Sequence, residues 1–181
     1  MTQRRQTLTK SYIKEALTLL LNEERFEDIS VSKICKKSGI NRGTFYLHYL
    51  DKFDMMDQLK EETIGDLKVI LTDGDKKPRQ IIREALEYIQ SDFAFLYAVS
   101  QSSYANFSET MKEFVLVLVD WAPNGKKRVT QMYDIPQDYA LGILAASIES
   151  IISRWLQGGA TEEIEEVTNM ILRVSKFDEW L

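Results

Sequence analysis

The stretch from Val31 to Lys52 constrains this chain more than any other. It reads as a short helix, a tight turn, a second short helix and the start of a third. Val31, Ile34 and Cys35 stand at i, i+3 and i+4, so they share one helical face. Gly39 follows the last periodic residue, where a left-handed backbone would stop that helix. Ile40 can plug the turn into a core. Asn41 can cap the next helix by accepting a backbone N–H that would otherwise lack a partner. Asp51 can cap the third, with Lys52 just inside it. Two helices joined by a turn of three or four residues containing Gly form the helix-turn-helix pattern. In that pattern the second helix enters the major groove of DNA by its N-terminal end.

The second helix carries two kinds of side chain. Phe45 and Tyr49, four residues apart, read as inward anchors. Arg42, Gly43, Thr44, Tyr46, Leu47 and His48 read as the outward set that meets DNA. Arg42 can donate two bonds to a guanine edge or clamp a phosphate. A cation in the first turn opposes the helix dipole, so a merely solvated Arg is disfavoured there. Gly43 costs a helix about 1 kcal/mol relative to Ala, and close approach of backbone to DNA accounts for it better than packing does. Thr44 can bond a phosphate or touch a thymine methyl. Tyr46 can offer its hydroxyl to either, and the lone His48 falls in the same stretch. Lys52 can add a phosphate bond at the start of the third helix. Ser32 and Lys33, with Lys36 and Lys37, can touch the backbone from the preceding helix. Cys35 reads as buried packing.

Charge supports this only when taken by region. The chain is acidic overall, with a net charge of −5. Through residue 50, however, nine basic residues face five acidic ones, a net of +4 that leaves −9 for the rest. A basic head on an acidic body orients such a molecule toward phosphate. Arg4 and Arg5, in an expected loose arm over residues 1–6, can reach a minor groove or fray into solvent. One His and one Cys leave no zinc site of the usual kind within one chain. The single cysteine excludes an internal disulfide framework and fits a reducing, cytoplasmic setting. No nucleophile–base–acid set, phosphate-binding Gly loop or metal cluster is evident, which argues against an enzyme and against a cofactor. The sequence has no run of 18 apolar residues, so no membrane span is expected.

Periodicity predicts an all-α chain of about nine helices. A helix from about Leu8 to Asn22 places Ile13, Ala16, Leu17, Leu20 and Leu21 on one stripe. Phe26 and Ile29 then fill a corner. A long helix runs from Lys52 to about Leu71, and Pro78 starts the next. Further helices span Pro78 to Gln90, a short piece through Tyr97, Ala105 to Trp121, a short piece to about Met132, Gln137 to Gln157, and Glu162 to Lys176. No alternating strand pattern or internal repeat is present. The expected organisation is a head over residues 1–51 and a regulatory and dimerisation body over residues 52–181.

At Gly39-Ile40-Asn41, Gly43-Thr44-Phe45-Tyr46, His48-Tyr49 and Lys52 the sequence resembles the tetracycline-repressor (TetR) family of transcriptional regulators. The likeness covers about residues 8–60, with Tyr49 where that family more often has Phe. It implies a homodimer on a double-stranded operator. It also implies that the long fourth helix passes a binding event in the body to the spacing of two recognition helices. The last two helices have wide apolar stripes, which read either as a partner surface or as intrachain core. In the family resembled they form a four-helix bundle between subunits, so Ile148, Ile151, Ile152, Trp155, Ile164, Val167 and Ile171 are the expected dimer contacts. Aromatic residues in the middle of the chain (Phe93, Tyr97, Tyr104, Phe107, Phe114 and Trp121) can line a pocket for a small-molecule effector, or be plain core. The run Trp155-Leu-Gln-Gly-Gly159 loosely resembles regulators of dihydroxyacetone kinase genes. The function implied is a ligand-responsive repressor. The alternative is an activator or DNA-bound adaptor controlled by a protein partner.

Overall fold

The computed structural model describes residues 2–177, and their side chains from Leu8 on. Among these residues there are ten α-helices, one 3₁₀ turn and no strand. The helices are α1 (Thr2–Leu21), α2 (Val31–Ser38), α3 (Arg42–Tyr46), α4 (Lys52–Leu71), α5 (Pro78–Ser91), α6 (Phe93–Gln101), α7 (Phe107–Trp121), α8 (Gly125–Tyr133), α9 (Gln137–Gln157) and α10 (Ile164–Ser175); the 3₁₀ turn spans Phe26–Asp28. The all-α expectation holds. The first helix starts at Thr2 rather than near Leu8, so the expected arm is helical where it is described. The side chains of Arg4 and Arg5 lie outside the described residues.

The chain divides into two compact units. The first runs through Thr63 and takes in Ala94–Asn106; the second holds Ile64–Phe93 and everything from Phe107 on. The first unit needs more apolar surface than α1–α3 supply. Its core joins Ile13, Leu17, Phe26, Ile34, Phe45 and Tyr49 to Met55, Met56 and Leu59 of α4 and to Phe95, Leu96 and Val99 of α6. The α4 helix itself is unbroken across the division.

In the second unit α9 packs on α7, α8 and α10, and α10 also packs on α5. Much of the wide stripes goes into the intrachain core: Ile148, Ile152, Trp155, Val167 and Ile171 are all buried within one chain. Ile151 and Ile164 are half-buried. Trp155 is only 2% exposed, and its indole N–H donates to the Glu162 carbonyl at 3.3 Å, fastening the α9–α10 connection. By length and composition α9 is apolar enough to cross a membrane. Leu144, Ile148, Ile152, Trp155 and Leu156, however, are buried in packing on neighbouring helices.

The α7–α8 turn depends on one glycine. Asn124 takes a left-handed backbone (φ 57°), and the Gly125 N–H then donates to the Ala122 carbonyl at 2.9 Å. A Cβ on Gly125 would lie 2.0 Å from the Val119 carbonyl oxygen, which is backbone and cannot swing aside. Gly125→Ala is therefore expected to destabilise the protein by about 3 kcal/mol, the upper range for overpacking, in urea-unfolding curves.

Candidate nucleic-acid interface

Local chemistry accounts for each boundary of the helix-turn-helix. The Ser30 hydroxyl accepts the Lys33 N–H at 3.2 Å and starts α2. Gly39 ends α2 in a left-handed conformation (φ 72°), and the Ile40 N–H returns to the Cys35 carbonyl at 3.1 Å. Asn41 starts α3: its Oδ1 accepts the Thr44 N–H at 2.7 Å and the Thr44 hydroxyl at 3.1 Å. Asp51 starts α4 by accepting from the N–H groups of Phe53 and Asp54, at 2.8 and 2.9 Å. Asp54 in turn accepts the Leu50 N–H at 2.7 Å, a reciprocal cap. Bonds from Gln58 and then from Leu50 hold the Asp54 carboxyl below the usual carboxylate range.

α3 has five residues and presents two faces. Phe45 and Tyr49 are buried, as their spacing predicts. Burial pushes the Tyr49 phenol well above its ordinary pKa, and its hydroxyl has no hydrogen-bond partner. Arg42, Gly43, Tyr46 and Leu47 are exposed; Leu47 is 82% exposed, far more than an apolar side chain needs to be for the fold. Arg42 donates to the Tyr46 hydroxyl at 3.3 Å and lies 5.9 Å from that ring's centroid. Tyr46 in turn stands edge-on to Phe45. The pair is thus pre-positioned on an anchored ring. A Cβ on Gly43 would lie 3.2 Å from Asn41 Oδ1, the oxygen that caps α3, so the cap itself favours glycine there. Thr44 and His48 are half-buried, and the Thr44 hydroxyl is already engaged by the cap.

The remaining candidates differ in how free they are. Ser32 is exposed on the first turn of α2. Lys33 bonds Glu24 at 2.5 Å and the Asp28 carbonyl at 3.2 Å. Lys37 pairs with Glu23 at 2.7 Å. These are surface pairs, worth about 1 kcal/mol or less, and a phosphate can replace the carboxylate. Lys52 is different: its ammonium is held by three backbone carbonyls. Cys35 is buried, and that burial raises its thiol pKa, in keeping with a packing role.

Of the six candidate pocket aromatics, Tyr97 and Tyr104 belong to the first unit, and Phe93, Phe107, Phe114 and Trp121 to the second. Tyr104 stacks on Phe26 with centroids 4.6 Å apart, and Trp121 is 60% exposed with the Lys68 ammonium over its ring. The second unit does contain a small apolar cavity of about 70 Å³. Phe114 lines it, among aliphatic residues such as Leu67, Leu86, Leu118, Ile148 and Ile152. Aromatic content alone did not distinguish these fates. The Phe26–Tyr104 stack joins residues 78 positions apart and leaves no local signal.

This is an all-helical chain with a helix-turn-helix whose outward face is polar, aromatic and exposed. No family model matches it. The uncharacterized HTH-type transcriptional regulator YxbF of Bacillus subtilis (strain 168) is 25% identical over 118 residues, 60% of this chain and 31% of that protein. The HTH-type transcriptional regulator AcrR of Shigella flexneri is 29% identical over 87 residues, 45% of this chain and 40% of that protein. The chain thus spans less than half the length of the curated relatives it matches. Among solved structures, a putative TetR-family transcriptional regulator from Syntrophomonas wolfei str. Goettingen matches with a TM-score of 0.67 and 20% identity, covering 97% of this chain and 95% of that one. The dihydroxyacetone kinase operon activator DhaS matches with a TM-score of 0.63 and 18% identity, covering 93% and 94%. The fold over most of the chain is like that of the TetR-family regulator from Syntrophomonas wolfei. These similar proteins are described as transcriptional regulators and not as enzymes.

Asn41→Ala removes the acceptor for both Thr44 donors. It is expected to cost about 1 kcal/mol in chemical denaturation, the usual loss for an N-cap.

Proposed function

We propose that this chain is a sequence-specific, DNA-binding transcriptional regulator that acts as a homodimer, most simply as a ligand-responsive repressor in the cytoplasm. One observation carries the reading. The five-residue α3 is capped by Asn41, anchored by Phe45 and Tyr49, and turns Arg42, Gly43, Tyr46 and Leu47 to solvent. Those residues suit base edges and close backbone approach. Lys33, Lys36 and Lys37 flank them and can supply phosphate contacts. Sequence likeness to regulators described as HTH-type supports the same reading.

The dimer surface is drawn differently from the expectation based on stripe width. The exposed side of α9 carries Tyr139, Ile143, Ala146, Ser150 and Arg154 at helical spacing, with Gly142 beside Ile143. Tyr139 and Ile143 are large and apolar, and Gly142, Ala146 and Ser150 leave room for another helix to approach. Beyond its own helical turn, no described residue lies within 4 Å of a Cβ built on Gly142. Met170 is likewise exposed on α10. A two-fold pairing through these faces suits a two-fold operator.

A second reading is favoured by the cavity. Its volume of about 70 Å³ is well below that of ordinary ligand sites, about 300 Å³ upward, and its lining is apolar. An apolar cavity of that size suits control by a protein partner, as an activator or a DNA-bound adaptor. An apolar effector would have to open the cavity as it bound.

Genomic footprinting of the purified protein, with titration at two salt concentrations, tests the main reading. The expected result is one palindrome-like site with strong salt dependence; uniformly weak binding would move the partner-controlled reading forward. At that site, Tyr46→Ala or Arg42→Ala is expected to weaken binding by about tenfold or more while leaving the unfolding curve in place. Ala146→Glu is expected to convert dimer to monomer in sedimentation velocity without unfolding the chain. An unchanged dimer would exclude this face of α9.

A further inference from the structure

Lys52, the first residue of α4, does not face outward as a free cation. Its Nζ lies 2.8 Å from each of three carbonyl oxygens, those of Phe26, Glu27 and Ile29. An ammonium has three N–H donors, so all are in use. Its walls are aromatic: the Phe26 and Phe53 ring centroids are 5.0 and 5.2 Å from Nζ. Both distances are within the range of cation–π attraction. Tyr104 backs these rings, stacked on Phe26 and tilted against Phe53 at 5.2 Å.

The positions of the three carbonyls are informative. They lie on the connection between α1 and α2, and Ile29 immediately precedes Ser30, the cap of α2. The helix-turn-helix occupies the residues between Ile29 and Lys52. The bond from Lys52 to the Ile29 carbonyl therefore closes that segment at its base, joining its entry to its exit.

We propose that Lys52 is a positioning residue. It clasps the two ends of the helix-turn-helix and so sets the pose of α2 and α3, and it contributes no phosphate contact of its own. To reach a phosphate it would have to release three carbonyls together, whereas Lys37 need only exchange one surface carboxylate for another anion. The proposal rests on the reading that α3 faces DNA, but the clasp can be measured without DNA.

Lysine and arginine separate the alternatives. A phosphate contact accepts Arg in place of Lys. A cage of three convergent carbonyls built around a compact ammonium does not accept a planar, five-donor fork. Lys52→Met keeps most of the aliphatic stem between the rings and removes the donors.

The experiment compares wild type, Lys52→Met and Lys52→Arg. Each is titrated with the footprinted duplex and with a scrambled duplex of equal length, over a range of salt, at a temperature where circular dichroism shows it folded. A clasp predicts that both variants melt earlier and bind the footprinted duplex about tenfold more weakly or worse. Binding to the scrambled duplex and the salt slope should stay as in wild type. Rescue by Lys52→Arg, or a slope in Lys52→Met reduced by about 0.9, would show a phosphate contact and overturn the proposal. Earlier melting with undiminished operator binding would leave only a structural role and would also overturn it.

A DNA-free arm uses the ¹⁵N signal of the wild-type Lys52 ammonium. A caged ammonium exchanges its protons slowly and gives a resolved signal near neutral pH. Exchange as fast as that of a surface lysine would overturn the clasp even if neither variant folds. A wild-type protein that binds no specific duplex, yet shows a protected ammonium, would refute the DNA reading and leave the clasp intact.

Discussion

Burial of Phe45 behind a five-residue helix is the contact on which the outward face of α3 depends. An isolated helix of that length is not stable in water, where about 12–15 residues are needed even for good helix formers. α3 persists because its ends and its back are held. Asn41 satisfies the first turn, while Phe45 and Tyr49 fix the inward side against the first unit's core. With those two rings inside, Arg42, Tyr46 and Leu47 have to point out. The exposure of Leu47 is thus a consequence of the anchoring as well as a feature suited to a DNA base.

Electrostatics refines this picture. The head's excess of positive charge, counted along the chain, overstates the number of cations available to a partner. Lys10, Arg25, Lys33 and Lys37 each pair with a nearby carboxylate, and Lys52, just beyond the residues counted, is held by backbone carbonyls. The exposed pairs are weak and can be exchanged for phosphate. The Lys52 site is not of that kind, because its partners are backbone oxygens flanked by aromatic rings. Two lysines that look alike in a charge count therefore differ in what they can do.

The α9 and α10 stripes show where pattern reading stops. Residues at i, i+3, i+4 and i+7 reveal that a face is buried, but the spacing carries no label for what covers it. Ile148, Ile152, Trp155, Val167 and Ile171 are covered by their own chain, chiefly because α7, α8 and α10 surround α9. The face of α9 that stays exposed is the one that a hydrophobicity scan ranks lower, around Gly142, Ala146 and Ser150. Small residues contribute little to such a scan, yet they govern how closely helices can approach.

Helix starts and stops were legible in the sequence because they depend on chemistry within a few residues. The Asn41 and Asp51 caps, the left-handed Gly39 and the inward pair Phe45 and Tyr49 are all of this kind. The all-α class followed for the same reason, since a 3.6-residue period is local. Tertiary structure alone decided what joins residues far apart in the chain. It drew α6 into the first unit, placed Tyr104 against Phe26, buried Trp155 and tied Lys52 to Ile29. A side chain's type and spacing show what it can bond, but which partner it meets is set by where packing brings the distant backbone.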